Sequence, residues 1–319
     1  MTLPVPRLPH PTPAGVRTRV HSALAMDRAE LRRTVLLAGS ARSGTTWVEE
    51  VIDHAHDHRV LFEPFHTRYV PEVAGWRTRQ YIRPGDRDPY YLQPATLIAN
   101  GRVRGKWVDQ ANRRWMSRKR LIKEVRGQLF LRWFATEFPE VPVILLLRHP
   151  CAVVESRVRL GWEAELGDLL AQPKLVEDYL GPVAEEMAAE TDEFARHVWL
   201  WAAENSVPLR QFAPGEVIVV FYEDLLREPE REMDRLLSWV GDAATAEVLA
   251  ASARPSARSA DKQTVRSGEE RLNAWRGGVS RAQTGRAVEI LARFGLDAVY
   301  GEGDLPLVDA GDVLGILPG

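Results

Sequence analysis

Between Gly39 and Gly44 the chain places Ser40, Ala41, Arg42 and Ser43, and it continues with the hydroxyls of Thr45 and Thr46. Small residues, hydroxyls and one fixed cation in a short loop are the parts of an anion cradle, where backbone N–H groups converge on a phosphate-type group. The loop follows an apolar β-type run, Thr34 to Ala38, and precedes Val48, Val51, Ile52 and Ala55, which mark one helical face. A strand, loop and helix in that order aim the helix N-terminus at the anion. A second group of residues has similar chemistry. The unbroken apolar run from Val141 to Leu147 predicts a buried parallel strand, and it ends in Arg148, His149 and Pro150 before a helix that carries Ser156. Ligands sit outside the carboxyl ends of such strands, so Arg148 and Ser156 can converge on one anion. Two anion sites predict a nucleotide with phosphate-type groups at both ends of its ribose.

The glycine pair has the spacing of a nucleoside-triphosphate loop. Such a loop needs Lys after its second glycine, and here Thr45 follows Gly44 while the cation sits inside the loop as Arg42. ATP hydrolysis requires that Lys on the β- and γ-phosphates and a hydroxyl on magnesium. The loop therefore predicts a phosphate-bearing nucleotide with a different chemistry, and a P-loop nucleotide or small-molecule kinase is the alternative.

Arg42 to Trp47, together with Leu147-Arg-His-Pro150 and Val154-Glu-Ser-Arg157, resembles the sulfotransferases that use 3′-phosphoadenylyl sulfate, PAPS. Val220-Phe-Tyr-Glu-Asp-Leu225 resembles the family's Tyr-Glu-Asp-Leu segment, and Trp275-Arg276 its C-terminal Trp-Arg/Lys element. The resemblance spans roughly residues 31 to 295 in the family's order. It implies a soluble bacterial enzyme that transfers a sulfuryl group from PAPS to a hydroxyl of a small-molecule, carbohydrate or lipid-type acceptor. The products are a sulfate ester and 3′,5′-adenosine bisphosphate, PAP, formed by in-line displacement with a carboxylate base and without a metal.

Sulfuryl transfer, like phosphoryl transfer, is mostly positioning and electrostatics. Charge grows on the bridging oxygen of the leaving nucleotide, so a fixed cation there lowers the barrier. Arg42 takes that role, and as a poor proton donor it neutralises rather than protonates. By resemblance Ser43, Gly44, Thr45 and Thr46 hold the 5′-phosphosulfate, Trp47 packs on adenine, and Arg148 and Ser156 bind the 3′-phosphate. Tyr222, Arg266 and Arg276 are further nucleotide candidates. Lys123 lies on the third strand and is expected to assist the sulfuryl oxygens. Phenol-type relatives have a His shortly after that Lys, where this chain has Val125; carbohydrate-type relatives have a carboxylate after the second strand, which Glu63-Pro64 matches. Glu63 is the expected base, with His66 as second candidate.

The elements that must position these residues follow from the pattern. Strands at 34–39, 59–63, 119–124, 141–147 and 216–222 alternate with helices, which predicts a three-layer α/β/α domain around a parallel sheet, a P-loop kinase-like sulfotransferase fold. Residues 1–30, rich in proline, read as a flexible arm before a single domain at 31–319. Aromatic and arginine-rich residues 66–118 and acidic residues 161–193 break the rhythm and are expected to cover the acceptor side. Basic segments with interleaved Trp at 101–107 and 113–120 raise nucleic-acid binding as another class. The balance of 42 Lys and Arg against 44 Asp and Glu argues against it. No run is long enough to span a bilayer, no secretory signal pattern is present, and the single Cys151 is compatible with the cytoplasm.

Overall fold

The computed structural model describes residues 26–114, 116–253 and 268–317. Five parallel strands form the central sheet: β1 (Thr34–Gly39), β2 (His58–Phe62), β3 (Lys119–Glu124), β4 (Val143–Leu147) and β5 (Ile218–Phe221), in the spatial order β2-β3-β1-β4-β5. Leu36 pairs with both Ile122 and Val143, so β1 is central. The strands expected at 141–147 and 216–222 are shorter. Pro142 has no N–H to give a ladder, although its carbonyl still accepts from Leu36 N at 3.0 Å. At the other strand the chain turns into a helix at Tyr222.

Alternate residues of each strand enter different cores, as a period of two requires. Leu36, Ala38, Ile122, Leu145 and Phe221 face one cluster, with α2 (Pro150–Arg159), α3 (Glu193–Gln211) and α7 (Arg281–Ala292). Val35, Leu37, Leu121, Ile144 and Val220 face the other, with α1 (Thr45–Ile52), α5 (Pro229–Trp239) and α6 (Ala246–Ser252). Between β5 and α5 lies the short α4 (Tyr222–Arg227). The result is a three-layer α/β/α arrangement. No helix among the described residues is long and apolar enough to cross a membrane.

The two aperiodic segments pack on each other. Residues 66–118 contain a 3-10 turn at Pro71–Val73 and a helix at Pro89–Ala99, whose start Asp88 caps by accepting from Tyr90 N at 2.9 Å. Tyr81 donates its hydroxyl to Asp178 at 2.7 Å and its backbone N–H to Gln172 at 2.7 Å. Arg83 reaches Asp178 and Glu177. Acidic residues in one segment thus meet arginines in the other.

Residues 26–30, expected from sequence to belong to the N-terminal arm, are tied down. Met26–Asp27 pairs in parallel with Met116–Ser117, and the Asp27 carboxylate lies between two buried arginines. Arg120 donates to Asp27 at 2.7 and 2.9 Å and to Thr34 Oγ1 at 2.7 Å; Arg59 bonds Asp27, Asp109 and the carbonyls of Gly101 and Val103. Two guanidiniums with almost no exposure are acceptable only because every arm has an acceptor. Replacing Asp27 by Ala leaves Arg120 without a carboxylate partner and Arg59 with Asp109 alone, and the expected loss is ~3–5 kcal/mol of unfolding free energy in urea titration. A loss below about 1 kcal/mol would show that the network is not what fastens this segment.

Candidate functional site

The loop after β1 rests on a buried ionic foundation. Glu204, fully buried within α3, accepts from Ser40 Oγ at 2.8 Å, from Arg157 Nη2 at 3.1 Å and from Arg79 Nε. Arg157, equally buried, also donates to Ala41 O at 3.2 Å. Burial pushes the Glu204 carboxyl up, but Arg157 and Arg79 outweigh it and hold the group below its ordinary value. Above this base the loop takes a costly shape. Arg42 has φ 80° and Gly44 φ 101°, both left-handed, and for a non-glycine this costs ~1–3 kcal/mol. A Cβ on Gly44 would lie 2.6 Å from the Tyr222 ring, so glycine is required twice there, by conformation and by space. No side chain caps α1, whose N-terminus opens onto the loop.

In front of the loop lies a cavity of about 350 Å³ at the carboxyl ends of the strands. Arg42, Gly44, Thr45, Thr46, Trp47, Glu63, Lys123, Arg148 and Tyr222, all expected from sequence, line it. Arg126 and Arg271 add two cations, and Phe62 and Trp162 add apolar walls. Five cations therefore face one carboxylate, an arrangement suited to a polyanion. Burial, then the neighbouring Arg148 and Arg159, lower the Arg42 pKa, a deficit that a bound anion relieves.

The individual placements differ in kind. Arg42 Nε donates to Ser156 Oγ at 2.9 Å, and Arg148 Nη1 donates to Arg42 O at 3.1 Å, so Arg148 and Ser156 meet around Arg42. Tyr222 lies under the Arg148 guanidinium at 4.4 Å and edge-on to Trp47 at 5.5 Å. Trp47 in turn has the Arg271 guanidinium 5.9 Å from its ring centre. Ser43 is fully buried; its N–H donates to Ser40 O at 2.9 Å, and its hydroxyl turns back toward Gly39 instead of lining the cavity. Arg276 is also outside, paired with Asp304 at 2.7 Å and stacked on Trp275. Arg266 lies outside the described residues.

Glu63 sits at φ 44° just past β2, with Oε1 3.0 Å from Lys123 Nζ and Oε2 2.8 Å from Arg126 Nη1. Burial raises its pKa, yet Lys123 and Arg126 together hold the carboxyl below its ordinary value. His66 is one turn further on, outside the cavity, against Tyr69 and Trp107. Its Nδ1 accepts from Arg68 N at 3.3 Å, and burial with nearby Arg126 brings its pKa down to about 4. Arg126, which no motif singles out, lies two residues past the carboxyl end of β3, as Arg148 lies one past that of β4. Glu204 also left a signal, as a carboxylate directly after the apolar run from Val198 to Ala203 and before Val207.

The turn that carries Arg148 is held from behind. His149 N donates to Glu223 at 2.9 Å, and Tyr300 donates its hydroxyl to the same carboxyl at 3.0 Å. His149 also caps α2, accepting from Cys151 N through Nδ1 at 3.2 Å, and its ring stacks on Trp275 at 4.7 Å. Complete burial pushes the Glu223 carboxyl up to about 7.

Comparison with known proteins yields one family. The profile of the sulfotransferase family matches residues 34–245, more than half of the chain. No curated protein matches it. Among solved structures, the sulfotransferase domain of the curacin biosynthetic pathway is 15% identical, covering 82% of this chain and 96% of that one at a TM-score of 0.46. The sulfotransferase domain of the Synechococcus PCC 7002 olefin synthase is 16% identical, with 84% and 96% covered at 0.47. A mouse sulfotransferase complexed with PAP is 13% identical, with 93% and 92% covered at 0.46.

The buried Glu223 generates a prediction with a definite sign. Its folded pKa is raised, so folding takes up a proton between the ordinary carboxylate value and pH about 7. The stability tied to that proton is complete at low pH and is lost as pH rises through this window. The isosteric Glu223→Gln removes the dependence, so its stability relative to wild type should rise with pH across the window in denaturant titrations. A difference that stays constant with pH would mean that Glu223 is ionised throughout.

Proposed function

The chain belongs to the sulfotransferase family, and from that premise we propose that it transfers the sulfuryl group of PAPS to a hydroxyl of a small-molecule, carbohydrate or lipid-type acceptor. The observation that carries the reading is the cavity in which Arg42, Lys123, Arg126, Arg148 and Arg271 surround the uncapped start of α1. When bound, PAPS supplies an activated sulfuryl group, whose S–O bond to the 5′-phosphate breaks with the electron pair leaving on PAP as the acceptor oxygen forms the new S–O bond. Arg42 and the N–H groups at the start of α1 hold the 5′ group, and Arg42 neutralises charge on the departing oxygen. Arg148 and Ser156 take the 3′-phosphate, which ATP and AMP lack. Trp47 and Tyr222 offer aromatic surface to the adenine, with Arg271 as an additional cation.

Glu63 is our choice of base, since its carboxylate reaches into the cavity. His66 is the weaker candidate: it lies outside, and its Nδ1 is already engaged by Arg68 N. Lys123 lies 3.0 Å from Glu63 and is positioned to meet sulfuryl oxygens. Phe62, Trp107 and Tyr69 form an aromatic row running outward from the cavity, with centroid distances of 5.3 and 4.3 Å, and this row supports an acceptor presenting a flat or apolar body.

Calorimetric titration tests the reading without an acceptor. PAP should bind more tightly than AMP, and Arg148→Ala should shrink that preference by ~10–100-fold, the worth of one charge-assisted hydrogen-bonding site. Equal affinity for PAP and AMP in the wild type would end the proposal. Once an acceptor is in hand, Arg42→Ala should lower turnover by ~10²–10³-fold, and unchanged turnover would remove Arg42 from the leaving-group role.

A further inference from the structure

We propose that Glu63 is withheld from catalysis in the free protein by Lys123 and Arg126, and that it becomes an effective base only when the anionic cosubstrate draws those two cations away. The inference rests on the PAPS reading above and adds an order to it: the cosubstrate must arrive before an acceptor hydroxyl can lose its proton.

Both Glu63 oxygens are occupied, one by Lys123 Nζ at 3.0 Å and the other by Arg126 Nη1 at 2.8 Å. A carboxylate saturated in this way holds a proton weakly and is a poor base. The same two cations line the cavity beside Arg42 and Arg148, so an anion entering it competes directly with Glu63 for them. Each has surroundings besides Glu63. Lys123 Nζ already lies over the Phe62 ring at 4.2 Å, and the Arg126 side chain is about a quarter exposed. The main chain of Glu63, in contrast, is fixed: its N–H donates to Lys123 O at 2.7 Å, its carbonyl accepts from Trp107 Nε1 at 3.2 Å, and its backbone is left-handed at φ 44°. Partners change while the carboxylate stays aimed.

The other charged groups near it do not replace the two cations. Glu124, on β3, has its own pKa raised by burial and then by Glu63, and it is held by the N–H groups of Phe65, Val125 and Arg126. His66 is neutral at neutral pH, and Arg68 lies over the Tyr69 ring at 5.7 Å. Once Lys123 and Arg126 face the sulfuryl and phosphate oxygens, Glu63 accepts the proton of the acceptor hydroxyl as that oxygen bonds to sulfur and the bridging S–O bond breaks toward PAP.

Release of Glu63 raises its proton affinity, so binding of the cosubstrate is accompanied by proton uptake. The intact protein would be titrated with PAPS, without acceptor, in two buffers of different ionisation heat and just above the ordinary carboxylate range. Wild type should take up more protons per PAPS than Glu63→Gln, by a difference approaching about one. In Arg126→Gln the uptake should fall, because Glu63 has already lost one of its cations. Equal proton counts in wild type and Glu63→Gln, with PAPS bound to both, would overturn the release of Glu63 and leave the cosubstrate reading intact. Failure of wild type to bind PAPS would remove both.

Discussion

A carboxylate buried in the middle of a helix is a liability worth several kcal/mol unless its surroundings compensate it. Glu204 is compensated by Ser40, Arg157 and Arg79, which come from the loop after β1, from α2 and from the long segment after β2. Arg157 also reaches Ala41 O, so one guanidinium joins the buried charge to the loop backbone. The loop above is strained at Arg42, and strain of that kind persists only where the surroundings over-determine the conformation. The ionic foundation supplies the determination. The N–H groups and Arg42 are therefore oriented before any ligand arrives, and such preorganised groups need no rearrangement when charge develops.

Parallel topology does the rest of the assembly. Each strand delivers a side chain to the cavity at or just beyond its carboxyl end: Arg42 after β1, Glu63 after β2, Lys123 and Arg126 at the end of β3, Arg148 after β4 and Tyr222 after β5. Residues far apart in sequence meet because the strands run in one direction and stop on one edge. Behind that edge, Glu223 and Tyr300 fix the turn bearing Arg148 through bonds that face away from the cavity.

What was legible in the sequence is what depends on short-range pattern. The β1 loop and helix, the apolar run of β4 and the alternation of strands and helices all follow from local periodicity, and they place Arg42, Arg148 and Tyr222 correctly at strand ends. Glu63 and Lys123 also reach the cavity, and no local pattern encodes their mutual ion pair, since nothing local says that β2 and β3 are neighbours. Ser43 illustrates a different limit. Its place in a phosphate-type loop implies an outward hydroxyl, but the close turn against Gly39 rotates it inward. Arg276 matched a motif and then found a closer acid in Asp304. Arg271 had no motif and reached the cavity through the path of the C-terminal segment, which no local pattern encodes.

Arg79 gives the Glu204 network one further property. It belongs to the segment after β2, at φ 56°, and packs against the acidic segment through Glu165 as well as against the loop foundation. The segment after β2 is therefore electrically bound to the loop after β1. Exchanging it wholesale for the corresponding segment of a relative would strip Glu204 of one of its two guanidiniums and loosen the loop at the same time. Changes in this segment are thus confined to those that keep Arg79, or that remove the charge of Glu204 in the same step.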